Sequence, residues 1–288
     1  VSAPPRDQVE RNRARRRGRY SAGVDELLAV FSLPKFALPP VAEVAISMGF
    51  GSSLPLLRLA SLAREVEGDF PDQREAPPVA VVPEADTPFP QALLQLQASP
   101  VVRFVCTSED GERQVQFQND LVGANWIRAG GTYPEFHTVR DLFDSAYGLF
   151  RTTGTSGGSD EPAPVVLDVT YVNIISEPEA VADPASLFKD SSGPLAGDLP
   201  MDTFSLTTTE RMTHGDRFFG RILKNADVVA KPDTGERAIR ITVSARIAAE
   251  LLRQDVAKAM ELAHAAAVSG FVAATSTDWQ HDRWGRTE

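Results

Sequence analysis

Gly154-Thr155-Ser156-Gly157-Gly158 fits the GxSxG pattern, whose serine becomes a nucleophile only on a strained turn from strand to helix, with an acid and a histidine following. Here it follows a predicted helix and precedes Pro162 and Pro164, so it reads as a linker. Gly49, Gly51, Ser52 and Ser53 precede a predicted helix start, where free backbone N–H groups can hold an anion. The third glycine of a dinucleotide site and the lysine of a phosphate loop are missing, position 54 being leucine, which favours a capped structural turn. The four histidines, His137, His214, His264 and His281, form no HExxH or other tight metal spacing, so neither a metal nor a cofactor is expected. His264 reads as a core or boundary histidine on an apolar helix.

The amides are more telling. Gln114, Val115, Gln116, Phe117 and Gln118 alternate polar and apolar side chains, the pattern of a half-buried strand, and run through Asn119 and Asp120 into Asn125-Trp126. Glutamine neither titrates usefully nor attacks substrates, so a row of amides points to hydrogen bonding and not to bond breaking. Tyr171 and Asn173 alternate onto one face of an otherwise apolar strand that also carries Asp168. A buried polar group without a partner costs about 1 to 3 kcal/mol, so this face needs an internal network or a ligand. Gln116, Gln118 and Asn125 are expected to supply that network if the strands are neighbours. Trp126 is expected in the core with its indole N–H bonded, and Trp279 and Trp284 flank His281-Asp282-Arg283 as a tail, a lid or a subunit contact.

Regular elements must position these residues. The sequence predicts a short helix over Val24 to Phe31, then chain held extended by Pro34, Pro39 and Pro40, and a strand over Val41 to Phe50. Ser53 is the expected N-cap of a helix from Leu54 to Glu67. A proline-rich connection with an edge strand at Val79 to Val82 leads to strands at Val101 to Thr107 and Gln114 to Phe117, joined by the hairpin signal Asp110-Gly111. A helix over Phe136 to Phe150, a strand over Val165 to Ile175 and a loop over 176–200 follow. Thr203 to Thr209, Arg217 to Lys224 and Ile239 to Ala245 read as an antiparallel meander before a closing helix over Ala248 to Ala273. The order βαββαβ then βββα predicts an α+β fold, an antiparallel or mixed sheet with helices packed on one side. The units are 23–175 and 201–288, either separate or continuous.

Charge narrows the partners. The chain carries −10, but its first twenty residues hold seven arginines against Asp7 and Glu10, giving +5 and leaving −15 for the rest. An acidic body repels phosphate backbones, which disfavours nucleic acid as its partner. The arm, with Arg11, Arg13, Arg15, Arg16, Arg17 and Arg19, has no apolar face to bury and is expected to be disordered over 1–22, with an acidic partner as its functional reading. Cys106 is the only cysteine, which excludes an internal disulfide and fits a reducing cytoplasm. No apolar run is read as crossing a bilayer.

Four segments in order carry a resemblance: Pro39-Pro40-Val41-Ala42-Glu43, Gln116 to Trp126, Tyr171-Val172-Asn173, and Trp284-Gly285 preceded by His264 and Phe271. Together they resemble a sporadically distributed, largely uncharacterised bacterial family with the same succession of motifs, over roughly residues 38 to 286. The resemblance implies an α+β fold, no established activity, and defence-linked or accessory gene neighbourhoods. Arginines that commonly flank the family's Tyr-aliphatic-Asn strand are replaced here by Thr170 and Ile174, so no role is carried over from them. The leading expectation is a non-enzymatic binding protein for a protein partner or small ligand, using Gln116, Gln118, Asn125, Trp126, Tyr171, Asn173, His264 and Trp284. The alternatives are an enzyme of unrecognised type on the Gln116/Tyr171/Asn173 face, and a homo-oligomer built by adding sheet edges.

Overall fold

The structure, a computed structural model, describes residues 24–31, 33–86, 102–130, 132–155, 162–189, 204–231 and 234–287. The arginine arm and Ser156 lie outside the described residues.

Nine strands make one antiparallel sheet in the order β3-β4-β5-β6-β2-β7-β10-β9-β8. They are β2 (Val41–Phe50), β3 (Asp72–Ala76), β4 (Arg103–Thr107), β5 (Arg113–Gln118), β6 (Leu121–Ile127), β7 (Pro164–Ile175), β8 (Ser205–His214), β9 (Arg217–Ala230) and β10 (Arg237–Ala248). β7 pairs with β2 on one side and β10 on the other, so the two halves of the chain share one sheet. A separate pair joins β1 (Lys35–Phe36) to β11 (Arg286–Thr287).

Period-two patterning decides which face is covered. Val44, Ile46 and Met48 of β2, Leu167 and Val169 of β7 and Ile241, Val243 and Ala245 of β10 all point to the helical side and are buried. On that side lie α3 (Phe136–Thr155), packed on β2, β5 and β6, and α6 (Val256–Ala274), packed on β7, β9 and β10. Shorter helices lie at 24–30 (α1), Leu56–Glu65 (α2), Pro178–Ala182 (α4) and Ala249–Leu252 (α5), with a 3-10 turn over Pro184–Leu187. The Asp255 carboxylate caps α6 by accepting from the Lys258 backbone N–H at 3.0 Å. By length and composition α6 is apolar enough to cross a bilayer, which the sequence reading overlooked, yet over half of that stretch is buried against the sheet.

Several expectations need correction. Val79 to Val82 is not a strand; the edge belongs to β3, which pairs with β4. Residues 77–86 instead cross the uncovered face as a strap. The Gln118 side chain accepts from the Val79 N–H and donates to the Val79 carbonyl, both at 2.8 Å, standing in for one unit of a β-ladder. Val81 lies over Gly49, where a Cβ would sit 2.5 Å from a Val81 methyl. Farther along, Glu84 pairs with Arg221 and Asp86 with Arg211. Ser53 does not cap α2, whose N-cap is Pro55 without a side-chain cap. The N–H groups of Phe50, Gly51 and Leu54 are taken by carbonyls of Asp120, Ala163 and Asn119, so those three are not free to hold an anion. The closing helix is two, broken after Leu252, and the strand β6 went unrecognised because its buried run Val122, Gly123, Ala124 lacks alternation.

Candidate functional site

β7 sets the floor of a cleft. Tyr171 and Asn173 are two residues apart, so both face the helices, opposite Val243 and Ile241 of β10. The Tyr171 hydroxyl lies 2.8 Å from Nδ1 of His264 on α6 and 3.3 Å from the Tyr133 hydroxyl. Phe136, in the first turn of α3, stacks on the His264 ring at 4.0 Å with the planes 4° apart. Asn173, 2% exposed, donates from Nδ2 to the Ile241 carbonyl at 3.1 Å.

Above this floor is a cavity of about 540 Å³. One wall is the extended segment 33–41, stiffened by Pro34, Pro39 and Pro40; the other is α6, through Ala267, Val268 and Phe271. Lys35, Glu135 and His137 also line it and are solvent-exposed, the last two 3.3 Å apart.

The C-terminal turn holds the proline wall in place. A π-turn over Trp279–Arg283 brings Trp284 to 2% exposure, packed on Phe271 at 5.2 Å and on Trp279 at 6.2 Å. Next to it the carbonyls of Trp284 and Gly285 accept from the N–H groups of Leu38 and Ala37, each at 3.1 Å. Gly285 has φ +60, and a Cβ there would stand 3.0 Å from that of Ala37, so this contact requires glycine.

Burial moves both titrating groups of the floor away from neutrality. The Tyr171 phenol is pushed well above its ordinary range by desolvation, with the neighbouring Tyr133 adding to the effect. Desolvation likewise lowers His264 to about 4, so its imidazole is neutral at pH 7.

The structure brings together three of the eight residues singled out from sequence, Tyr171, Asn173 and His264, as lining groups. Two more sit behind them: Trp126 packs edge-on against Tyr133 at 5.5 Å, and Trp284 supports Phe271. Trp284 Nε1 has no hydrogen-bond partner among the described residues.

The amide residues are elsewhere. Gln116, Gln118 and Asn125 lie on the opposite face of the sheet, so the expected network between them and Tyr171 and Asn173 does not form. Gln116 is opposite Gly123, and Asn125 is opposite Ala45, whereas the helix-facing positions on these strands are Val115, Phe117, Ala124 and Trp126. The amides make their own row: Arg103 donates to Gln116 at 2.9 Å, Gln116 to Asn125 at 3.1 Å, and Asn125 to Glu43. Burial raises the Glu43 carboxyl above its ordinary value, and the Asn125 bond pulls it back. That row links β4, β5, β6 and β2 by side-chain hydrogen bonds.

Sequence reasoning missed Tyr133, Phe136 and the wall 33–41. Tyr133 gave a faint signal as an amphipathic aromatic just after Gly130 and Gly131. Among the described residues no group of three or more His, Cys, Asp or Glu side chains is placed to hold a metal ion. Cys106 is buried, its thiol pushed up to about 11 by desolvation, unlike a reactive thiolate. Compared with known proteins, the chain matches no family model and no curated protein.

Proposed function

We propose that this is a binding protein whose cleft, floored by Tyr171, Asn173 and His264, takes up a small molecule. The observation that carries the reading is the cavity itself: about 540 Å³, walled by proline and aromatic side chains, with a few polar groups converging at its base. Small-molecule sites are concave and mostly apolar, with a small number of placed polar groups for orientation.

The floor suits binding better than proton transfer. A general acid or base works best with a pKa near the operating pH, and burial drives Tyr171 upward and His264 down to about 4.

Filling the cleft tests this. Val268 is a partly buried lining residue, and Val268→Trp places an indole in the cavity. In a thermal-shift screen of a chemically diverse compound panel, some compounds should raise the melting temperature of the wild type by several degrees and leave the folded Val268→Trp protein unmoved. Compounds that stabilise both proteins equally, or none that stabilises the wild type, would count against the reading.

A second reading, a homo-oligomer or protein complex joined at a sheet edge, draws on β8. All ten residues of this edge strand except Met212 are exposed. Glu210, Arg211 and His214 on the same strand work against it, since charge on an edge discourages pairing. Light scattering distinguishes a 31.2 kDa monomer from a multiple of it.

A further inference from the structure

The hydrogen-bonding state of the cleft floor narrows what can bind there. This inference rests on reading the cleft as a ligand site. Asn173 is fixed by its Nδ2 bond to the Ile241 carbonyl, which turns its Oδ1 into an acceptor. That oxygen has no partner among the described residues, and Asn173 is one of the residues lining the cleft. His264 Nε2 is in the same position, since among the described residues the one hydrogen bond of this imidazole is that between Nδ1 and the Tyr171 hydroxyl.

Tyr133, Tyr171 and His264 form a chain in which the middle hydroxyl has one proton. If Tyr171 donates to Nδ1, then Nε2 carries the hydrogen and Tyr133 donates to Tyr171. If Nδ1 donates, Nε2 is a bare acceptor and Tyr171 donates to Tyr133. The imidazole can therefore meet either a donor or an acceptor, while Asn173 Oδ1 only accepts.

Charge points the same way. Among the described lining residues Lys35 is the only cation apart from the histidines, it is exposed, and Glu135 lines the same cleft. A carboxylate brings acceptors alone. It would face the Asn173 oxygen without a donor, and the neutral His264 would offer it at most one N–H and no charge, since the imidazolium, with a pKa of about 4, is disfavoured about a thousandfold at pH 7.

We propose that the cleft takes a neutral, largely apolar molecule carrying a hydroxyl group, which donates to Asn173 Oδ1 and is met by His264 Nε2 while its apolar body packs on Phe36, Phe136, Val268 and Phe271. A hydroxyl donates its one proton to Asn173 Oδ1 and accepts from Nε2–H, so it satisfies both atoms when Tyr171 donates to Nδ1, and binding selects that direction of the chain. Leaving a buried acceptor unpaired is what rejects analogues that lack the donor.

Three probes with one aromatic body test the proposal: 2-naphthol, 2-naphthoate and 2-methylnaphthalene, titrated calorimetrically into the full chain at pH 7. The expected order is 2-naphthol tightest, by tenfold or more over each of the others. In Asn173→Leu its advantage over 2-methylnaphthalene should shrink below about threefold, and His264→Phe should reduce it as well. If either variant fails to fold, the wild-type order still decides. Binding of 2-naphthoate as tight as that of 2-naphthol would overturn the assignment of a neutral head group, and equal binding of 2-methylnaphthalene would overturn the hydroxyl. Both outcomes leave the cleft standing as a ligand site. Failure of all three probes to bind overturns the site reading together with this one.

Discussion

His264 concentrates the energetics of the floor in one side chain. Its ordinary value is 6.5, and burial brings it to about 4 in the folded protein. Between those values the unfolded chain binds the proton and the folded one does not, so acidification favours unfolding. The stability tied to this neutral imidazole is fully present above about pH 6.5 and is lost as pH falls toward 4, by on the order of 3 kcal/mol. Denaturant unfolding of wild type and His264→Phe across pH 4 to 7 should give curves whose difference changes by that order within this window. The carboxylates titrate in both proteins and cancel, so a flat difference would mean that His264 is not desolvated. Tyr171 and Asn173 were legible in the sequence as polar residues on an apolar strand, because a buried polar group must be answered. The group that answers Tyr171 was not, since His264 is 93 residues away and no local pattern encodes that distance.

At the scale of elements, the wall 33–41 depends on the C-terminal turn. Gly285→Val would force a β-branched residue into the left-handed region and press its Cβ toward Ala37. The expected cost is about 1 to 3 kcal/mol, with faster amide exchange over 35–41 and weaker uptake of ligand by the cleft. Unchanged exchange at Ala37 and Leu38 would mean that the turn does not hold the wall. The Trp-Gly pair was visible as a motif, and Gly285 now has a physical reason. Strands β2, β7 and β10 were equally legible, since Val41–Phe50, Pro164–Ile175 and Arg237–Ala248 alternate or run rich in β-branched residues. β6 escaped because both its faces are buried, one by helices and one beneath the amide row, which erases alternation.

Across the whole molecule, the strap 77–86 binds the first half of the chain to the last. Glu84 and Arg221 form its anchor, their side chains 4% and 3% exposed, with the Ala85 carbonyl also accepting from Arg221. Removing one partner of a buried ion pair strands the other, which costs about 3 to 5 kcal/mol, whereas replacing both with apolar residues restores much of it. Chemical denaturation should therefore find Glu84→Leu destabilised by that amount and Glu84→Leu with Arg221→Met much closer to wild type. A double variant as unstable as the single one would mean that the Arg221 bond to the Ala85 carbonyl and the Glu84 contact with Arg246, at 4.0 Å, outweigh the pair itself.

The sequence by itself determined the α+β class, the strands with clear alternation, the hairpin at Asp110-Gly111 and the polar character of Tyr171 and Asn173. These are consequences of local patterning: period two, period 3.6 and turn chemistry act over a few residues. Only the tertiary structure decided which polar residues meet. Each strand's alternation defines two faces but not which one turns toward the helices, and a one-residue change of register reverses the choice. That phase sends the glutamines to the uncovered face and Tyr171 and Asn173 to the cleft, where long-range packing, and no local signal, brings His264 and Tyr133 to them.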